Sequence, residues 1–366
     1  MNKDIPVVGF LGAGGIARSH AYSLNSLKFF YNDAPAVRLD TVCSLREETR
    51  SSFAVQYGFE RSCDPGDFFK NDSINTVFIL GPNNLHFDHL KASLSLPSVR
   101  RIYLEKPVCS NSLEEKAIRD LLERHPDVKI QVGFQYLHSS SIRSMLQLWK
   151  SGQLGKPVHF DLKYYHSDYL NREYRDRRRT RLTPAPDGGA MADLGSHQLS
   201  VLIAFLGSEL RITSALQGGN FDDVPGESDL FSQISIYDDA SGAVGTLCAS
   251  RISSGTGDYF TIDFYCTNGA VRYTSQFPDS YEFFIEQQGN WTRQFTGSNF
   301  KPASTFPSAH VPSGWLRSMI HAHYVFLTGR AGNDFIPDIN HGLQVQRLVT
   351  ETAVYLDSFR KSTGKL

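Results

Sequence analysis

Short apolar runs alternate with amphipathic stretches over the first third of the chain. The apolar runs at 7–11, 37–44, 76–80, 99–104 and 129–134 predict strands. Apolar residues at helical spacing predict helices at 18–27, 47–57, 86–96 and 113–124. Strands that alternate with helices in this way are typical of a parallel, doubly wound α/β sheet.

The pattern changes after about residue 134. Residues 140–150 are helical in spacing, 151–157 predict a loop and 158–166 a strand. Between 230 and 286, alternating runs rich in β-branched and aromatic residues are separated by turn residues at 239–242 and by Asn268-Gly269, a strong hairpin signal. We therefore expect a domain at 1–134 and a second, α+β domain at 135–366 with an open, mainly antiparallel sheet.

The last part of this second domain carries two further expectations. Apolar residues at helical spacing over 342–361 predict a C-terminal helix that packs back on the fold. The segment 299–313, rich in Pro, Ser and Thr, predicts a surface loop.

Composition limits the classes of protein that the chain can represent. Its 366 residues suffice for two domains of ordinary size, and its net charge of −1 argues against nucleic-acid and anionic-membrane binders. No signal peptide or run of about 20 apolar residues is evident, so we expect a cytoplasmic protein. The odd number and wide spacing of the cysteines disfavour a disulfide framework and a zinc ribbon. They are Cys43, Cys63, Cys109, Cys248 and Cys266.

A glycine-rich turn follows the first apolar run and carries the most specific chemistry. Gly12 allows the tight turn, Gly14 lets the backbone approach a pyrophosphate, and Ala17 lets the next helix pack closely. The amino end of that helix offers free N–H groups to phosphates. The pattern predicts a Rossmann dinucleotide-binding domain, and a plain glycine turn is the alternative. The residues expected at the cofactor are Gly12, Gly14, Gly15, Ile16 and Ala17.

The second predicted strand ends without the acid that usually holds the ribose 2′-hydroxyl of NAD. Ser44 stands at that position, and Arg46 follows two residues later. An arginine there can meet a 2′-phosphate bidentately, so the pattern favours NADP slightly over NAD. The alternative for Arg46 is a solvated residue at the start of a helix.

Three further motifs stand in order along the chain. One strand ends in Glu105-Lys106-Pro107, a Gly-x-x-Gly-Lys-Pro loop occupies 152–157, and 187–197 contain Asp193 and His197. Together with the glycine turn, they resemble the Gfo/Idh/MocA family of nicotinamide-dependent oxidoreductases over nearly the whole chain. The resemblance implies hydride transfer between NAD(P) and a secondary hydroxyl or ketone of a sugar, polyol or sugar derivative.

Lys106 is the first catalytic candidate. It follows the carboxyl end of a strand, where ligands bind in open α/β sheets, and it can stabilise charge on a substrate oxygen. The alternative is a surface lysine. The resemblance implies a cis Lys106–Pro107 bond, with Glu105 and Lys106 also beside the cofactor. It further implies that Pro82 and Asn83 line the nicotinamide ribose with His86 close by.

Asp193 and His197 are the other catalytic candidates. They stand four residues apart at the start of a helical run and so share one helix face. Histidine titrates near neutral pH and suits proton transfer with a hydroxyl, while the carboxylate orients the imidazole or the substrate. The alternative is a helix-start aspartate with a core histidine. A zinc site would lack a third ligand, so we expect no metal. Whether Lys106 or His197 is the base stays open.

The segment between these motifs contains substrate-binding candidates and a basic run. Tyr164 and Tyr165 end a predicted strand beside His166 and can stack on a sugar, although core packing explains them equally well. Six arginines crowd 172–181 and form either a lid over an acidic substrate, a subunit contact, or a loop paired with scattered acids, the interpretation that we favour. The expected substrate contacts are Tyr164, Tyr165, Lys106, Asp193 and His197.

Two other functions are compatible with this fold. One is a glycoside-cleaving enzyme that oxidises its substrate transiently with a tightly held NAD. The other is a cofactor-sensing transcriptional regulator, which does not need to keep Lys106, Asp193 and His197. An exposed sheet face in the second domain favours a homodimer or homotetramer, and the substrate itself is not predicted by the sequence.

Overall fold

The computed structural model describes residues 5–182, 188–219, 221–225, 228–296 and 314–363. The strands are β1 (Val7–Leu11), β2 (Arg38–Cys43), β3 (Arg61–Cys63), β4 (Thr76–Ile79), β5 (Arg101–Leu104), β6 (Lys129–Val132), β7 (Pro157–Tyr165), β8 (Leu210–Gly218), β9 (Phe231–Asp238), β10 (Val244–Ser250), β11 (Tyr259–Cys266), β12 (Gly269–Thr274), β13 (Ser280–Ile285) and β14 (Asn290–Phe295). The helices are α1 (Gly15–Phe30), α2 (Glu47–Tyr57), α3 (Pro65–Phe68), α4 (His86–Leu94), α5 (Ser112–Arg124), α6 (Ser140–Lys150), α7 (Arg172–Arg177), α8 (Ser196–Leu206), α9 (Gly314–Thr328) and α10 (Ile339–Thr363). The predicted loop at 299–313 and Asp187 lie outside the described residues.

The chain divides into two compact units. Among the described residues, the first contains 5–109, 113–138 and 314–339, and the second contains 110–112, most of 139–296 and 340–363. The first unit thus ends close to the predicted boundary at residue 134. It also takes in a late segment, with α9, that the sequence placed in the second domain.

The first unit is built on six parallel strands in the order β3-β2-β1-β4-β5-β6. This is the doubly wound order of dinucleotide-binding folds, and it confirms the predicted fold class. Val8 and Phe10 of β1 are fully buried because helices cover both faces of such a sheet. The strand order reverses between β1 and β4, so the carboxyl ends of these strands form the crevice where ligands bind.

Helix α9 packs against α1 inside the first unit. The rings of Tyr31 and Tyr324 stack with centroids 3.9 Å apart, and the Tyr31 hydroxyl lies 2.7 Å from Nδ1 of His321. Ile320 and Phe326 of α9 join the core that contains β1 and α1. A helix from late in the chain therefore completes the layer beside the glycine-rich turn.

The second unit contains an open sheet in the order β14-β13-β12-β11-β7-β10-β9-β8. Of its neighbouring pairs, β10 with β7 is parallel and the others are antiparallel, as expected for a mainly antiparallel sheet. The predicted Asn268-Gly269 turn joins β11 to β12, and the predicted C-terminal helix is α10. Trp149 of α6, Phe205 of α8 and Phe264 of β11 pack ring to ring, so these helices cover one face of the sheet.

In the part of the chain that the structure describes, no helix combines the length and the apolar character needed to cross a membrane.

Candidate active site

The glycine-rich turn lies where three strands of the first unit meet. The N–H of Gly12 donates to the carbonyl of Cys43 at the end of β2, at 3.0 Å. Gly12 has a φ of +129°, and a Cβ there would lie 2.8 Å from the carbonyl carbon of Leu80, just after β4. Because backbone atoms cannot yield as a flexible side chain does, this position accepts only glycine.

The amino end of α1 has the features of a pyrophosphate cradle. Gly14 is the N-cap of α1 and has no side chain that could occupy the helix end. The first turn of α1 contains no acidic residue. A Cβ on Gly14 or Gly15 would meet nothing within 4 Å, so the backbone here is open to a close ligand. Ile16 is half-buried, and Ala17 is fully buried against the sheet. The predicted cofactor residues of the turn therefore fit a dinucleotide phosphate, which helix N–H groups favour.

The turn after β2 carries the two residues expected to select the cofactor. Ser44 is half-buried, and Arg46 is exposed at the amino end of α2. Arg50, which the sequence did not single out, donates from Nη1 to the carbonyls of Ser44 and Leu45, each at 3.1 Å. The only acid on β2, Asp40, is buried and paired with arginines, among them Arg61 at 2.9 Å. The turn thus has Ser44 at the position where NAD-specific sites place an acid, and Arg46 follows two residues later.

Lys106 follows β5 and is anchored through its neighbour Glu105. The Lys106–Pro107 peptide is cis, as the family resemblance implies. Glu105 is buried, and its Oε2 accepts the N–H of Lys106 at 3.3 Å. Its Oε1 lies 2.9 Å from Nε2 of His20 on α1, and Nδ1 of His20 lies 2.8 Å from Nε2 of His323 on α9. A buried Glu105–His20–His323 chain therefore ties α1 and α9 to the strand that presents Lys106.

The hydrogen-bond directions between Glu105, His20 and His323 follow from the burial and the distances of these side chains. Burial lowers the pKa of His323 well below its usual value, and the neighbouring ring of His20 acts in the same direction. Neutral His323 can donate from Nε2 to Nδ1 of His20, which then donates from its own Nε2 to the carboxylate. Glu105 is thus held by His20, which His323 braces in turn, and no motif in the sequence pointed to either histidine.

His86 connects the turns after β4 and β5. Its Nδ1 lies 2.6 Å from the carbonyl of Pro107, and its Nε2 lies 3.1 Å from the carbonyl of Gly81. Burial lowers the pKa of His86, and a neutral imidazole can donate to only one of these two carbonyls. Exposed Pro82 and half-buried Asn83 stand in the turn after β4. The structure therefore brings Pro82, Asn83, His86 and Lys106 to the carboxyl edge of neighbouring strands.

In the second unit, Asp193 lies in a π-helical turn, Met191–Gly195, that runs directly into α8. This differs from the expected α-helical start, and π-turns often occur at functional sites. His197 is buried in the first turn of α8, with its ring 6.0 Å from that of Tyr164. Tyr164 therefore packs on the face of β7 that meets α8.

Tyr165 points to the opposite face of the sheet because successive strand residues alternate. Its ring lies 6.0 Å from that of Tyr259, and burial raises its pKa, as does a hydrogen bond to Cys248. The structure thus separates the two tyrosines that the sequence grouped as substrate contacts, and it leaves only Tyr164 beside His197.

Asp193 has a partner that the sequence did not reveal. Its Oδ2 lies 2.8 Å from Nη2 of Arg251, a buried residue directly after β10. Arg181 approaches the same oxygen at 4.0 Å. A single arginine after a strand carries no sequence signal, since only the folded sheet brings it to the π-turn.

The basic run at 172–181 is paired with acids at several positions. Buried Arg175 holds Asp223 with two hydrogen bonds of 2.7 and 2.9 Å, and Arg179 donates to Asp176 at 2.8 Å. These pairs match the favoured interpretation of a loop paired with scattered acids. Across the described residues, no group of three or more His, Cys, Asp or Glu side chains has the arrangement of a metal site.

Comparison with known families decides the class of the protein. Residues 7–134 match the model of an oxidoreductase family with an NAD-binding Rossmann fold, and residues 142–272 match the Gfo/Idh/MocA C-terminal domain. The chain belongs to the Gfo/Idh/MocA oxidoreductase family. The resemblance inferred from the four motifs is thereby confirmed, and with it a nicotinamide-binding oxidoreductase.

Individual members of the Gfo/Idh/MocA family are distant relatives of this chain. A levoglucosan dehydrogenase of Pseudarthrobacter phenanthrenivorans is 22% identical, with 92% of this chain and 93% of the relative covered. A glucose-6-phosphate 3-dehydrogenase of Bacillus subtilis is 26% identical over 53% of this chain and 52% of its own. A solved levoglucosan dehydrogenase in complex with NADH and levoglucosan has a TM-score of 0.82 at 21% identity, covering 95% and 97% of the two chains. These likenesses show a shared fold.

Proposed function

We propose that this Gfo/Idh/MocA protein transfers a hydride between NAD(P) and a secondary hydroxyl or ketone of a sugar, polyol or sugar derivative. The observation that carries the proposal is the position of Lys106. It lies at the carboxyl edge of the same sheet whose β1 leads into the glycine turn, with its strand end anchored by Glu105. The names of two relatives, a levoglucosan dehydrogenase and a glucose-6-phosphate 3-dehydrogenase, support a carbohydrate substrate.

Three side chains would divide the work on the substrate hydroxyl. When bound, the nicotinamide supplies the hydride acceptor. The Lys106 ammonium would donate to the reacting oxygen and stabilise the charge that develops there. His197 would take the hydroxyl proton, directly or through water, and Asp193 would orient the reacting groups. Tyr164, beside His197, would contribute to the sugar-binding wall.

A spectrophotometric screen tests the reaction class. The protein is assayed for nicotinamide reduction with NAD and with NADP against sugars, anhydrosugars, inositols and sugar acids. We expect substrate-dependent accumulation of reduced cofactor with at least one of them. Release of cleaved sugar without net reduction would instead identify a glycoside-cleaving enzyme, and cofactor binding without any turnover would favour a regulator. Either result would contradict the proposal.

We also propose a slight preference for NADP. Ser44 in place of an acid, Arg46 at the start of α2 and the arginine-braced turn between them support it. The solved levoglucosan dehydrogenase was determined with NADH, so a preference for NADP would distinguish this chain from that relative.

Replacing Arg46 with alanine is expected to raise KM for NADP about 10- to 100-fold, the loss in affinity that follows from removing one charge-assisted hydrogen bond. KM for NAD should stay nearly unchanged. Steady-state kinetics with both cofactors measure the ratio. Arg119→Ala, on the exposed surface of α5 and paired with Glu115, is the matched control. An unchanged NADP-to-NAD ratio in Arg46→Ala would show that Arg46 does not contact a 2′-phosphate.

We further propose a homodimer or homotetramer. The sheet face opposite α6 and α8 exposes large apolar side chains, namely Leu216, Val244, Tyr265, Trp291 and Phe295. Exposed patches of this kind mark association surfaces. Analytical ultracentrifugation is expected to show a dimer or tetramer that Trp291→Glu weakens, whereas a monomeric protein would contradict the proposal.

The remaining proposal concerns compartment and partners. Cys43, Cys63, Cys248 and Cys266 are free thiols in the structure, although Cys43 and Cys63 are register neighbours on β2 and β3. Free thiols are the rule in the reducing cytoplasm, where we place the protein. The near-zero net charge supports neither nucleic acid nor a membrane surface as a partner.

A further inference from the structure

A buried arginine fixes the carboxylate of Asp193. Arg251 is 1% exposed, and its Nη2 donates to Oδ2 of Asp193 at 2.8 Å. Its Nη1 donates to the carbonyl of Arg181 at 2.7 Å, and its guanidinium carbon lies 4.6 Å from the ring centroid of Tyr169. The guanidinium therefore has three contacts, and one of them is with Asp193, the acid of the predicted catalytic set.

The charges around this pair favour an ionised carboxylate. Burial lowers the pKa of Arg251, but the charge of Asp193, its hydrogen bond and the nearby Tyr169 and Asp229 together outweigh burial, and the pKa is raised. A guanidinium stays protonated at all ordinary pH values, and a carboxylate in contact with it favours its charged form. Among the described residues, other titratable groups interact with Asp193, with Arg251 or with the adjacent His166. They are His166 itself, Asp168, Tyr169, Arg181, Asp229 and Asp258.

The π-turn that carries Asp193 is fixed at its other end as well. Asp229 accepts the N–H of Met191 at its Oδ2 and the N–H of Ala190 at its carbonyl, each at 2.8 Å. The first residues of the turn are thus bound to the segment just before β9. Arg251 binds the carboxylate of Asp193 to the end of β10. Such double fixation suits a group that must keep one orientation.

We propose that Arg251 is a positioning residue of the active site, which holds Asp193 ionised and in one orientation. Asp193 then orients the reacting groups and leaves the substrate proton to His197. The inference rests on the proposed oxidoreductase function and deepens it, because it names the residue that fixes the orienting carboxylate of Asp193.

Four variants test this role: Arg251→Met, Arg251→Lys, Asp193→Asn and the double variant Asp193→Asn/Arg251→Met. We expect Arg251→Met to lower kcat about 10- to 100-fold, the value of one charge-assisted hydrogen bond, and Arg251→Lys to restore most of that loss. In the Asp193→Asn background, Arg251→Met should cost less than about threefold more, since the arginine acts through the aspartate. The cofactor Kd, measured by nicotinamide fluorescence, should stay unchanged.

Arg175→Met is the matched control, since Arg175 is also buried and also ion-paired, with Asp223, in the same unit. It should lower the Tm and leave kcat of the folded protein within about twofold. A wild-type protein without turnover would contradict the proposed function itself. With an active wild type, kcat of Arg251→Met within about threefold of wild type, or equal kcat losses in Arg251→Met and Arg175→Met, would overturn the positioning role alone.

Discussion

Replacing Lys106 with methionine is expected to lower kcat by about 10²- to 10⁴-fold, the contribution of a positioned acid–base group. Methionine keeps the length and most of the apolar stem of lysine but cannot donate to a substrate oxygen. Because Glu105 accepts the backbone N–H of residue 106, which methionine keeps, the strand end should keep its position. Steady-state kinetics give kcat, and nicotinamide fluorescence gives a cofactor Kd that should change little.

Lys129→Met is the matched control for this prediction. Lys129 is an exposed lysine at the start of β6, on the edge of the sheet opposite the ligand-binding edge. It should retain the wild-type kcat. Wild-type turnover in Lys106→Met would show that the lysine takes no part in the chemistry.

Replacing Gly12 with alanine should weaken cofactor binding. The new Cβ would lie 2.8 Å from the carbonyl carbon and oxygen of Leu80, at a φ of +129° that alanine disfavours. Strained backbone of this kind costs about 1–3 kcal/mol, so the turn should shift and the cofactor Kd should rise about 10- to 100-fold. Fluorescence titration with NADH and NADPH measures the Kd, and thermal unfolding of the apo protein reports the strain.

Gly15→Ala separates strain from simple bulk in the same turn. Its Cβ would enter open space and alanine favours a helix, so the Tm of the apo protein should equal or exceed that of the wild type. The Gly12→Ala protein should instead unfold at a lower temperature. Wild-type cofactor affinity in Gly12→Ala would mean that the turn is not the phosphate site.

Local patterns predicted the elements of the fold well. The helix over 47–57 and the helix over 140–150 have the predicted bounds, because both are set by local apolar spacing. The glycine turn was also predictable, since it depends on which residues tolerate tight backbone geometry. These features share one property: the residues that determine them are close in sequence.

Contacts between residues far apart in the chain could not be predicted from the sequence. Helix α9 joins the first unit from almost two hundred residues downstream of β6, and nothing in its own apolar pattern indicates that it packs on α1. His323 and Arg251 gain their importance only through the residues that they meet, His20 and Asp193. A buried polar group needs a partner, but the sequence does not say which one.

The tyrosine pair shows a signal that was present and not used. Neighbouring residues of one strand project to opposite faces, so Tyr164 and Tyr165 cannot both line one side of β7. Strand alternation alone therefore excluded a shared site. It did not tell which tyrosine meets His197, because that depends on where α8 packs.

Isotope transfer from substrate to cofactor tests the central claim most directly. A substrate found in the screen is labelled with deuterium at the carbon of the hydroxyl that is oxidised and incubated with the protein and excess NAD(P). We predict that mass spectrometry finds one deuterium on each reduced nicotinamide released, in equal amount to the ketone formed. Lys106→Met should slow this transfer about 10²- to 10⁴-fold. Label that stays with the sugar, or a sugar that is cleaved while the free cofactor remains unlabelled, would contradict the account.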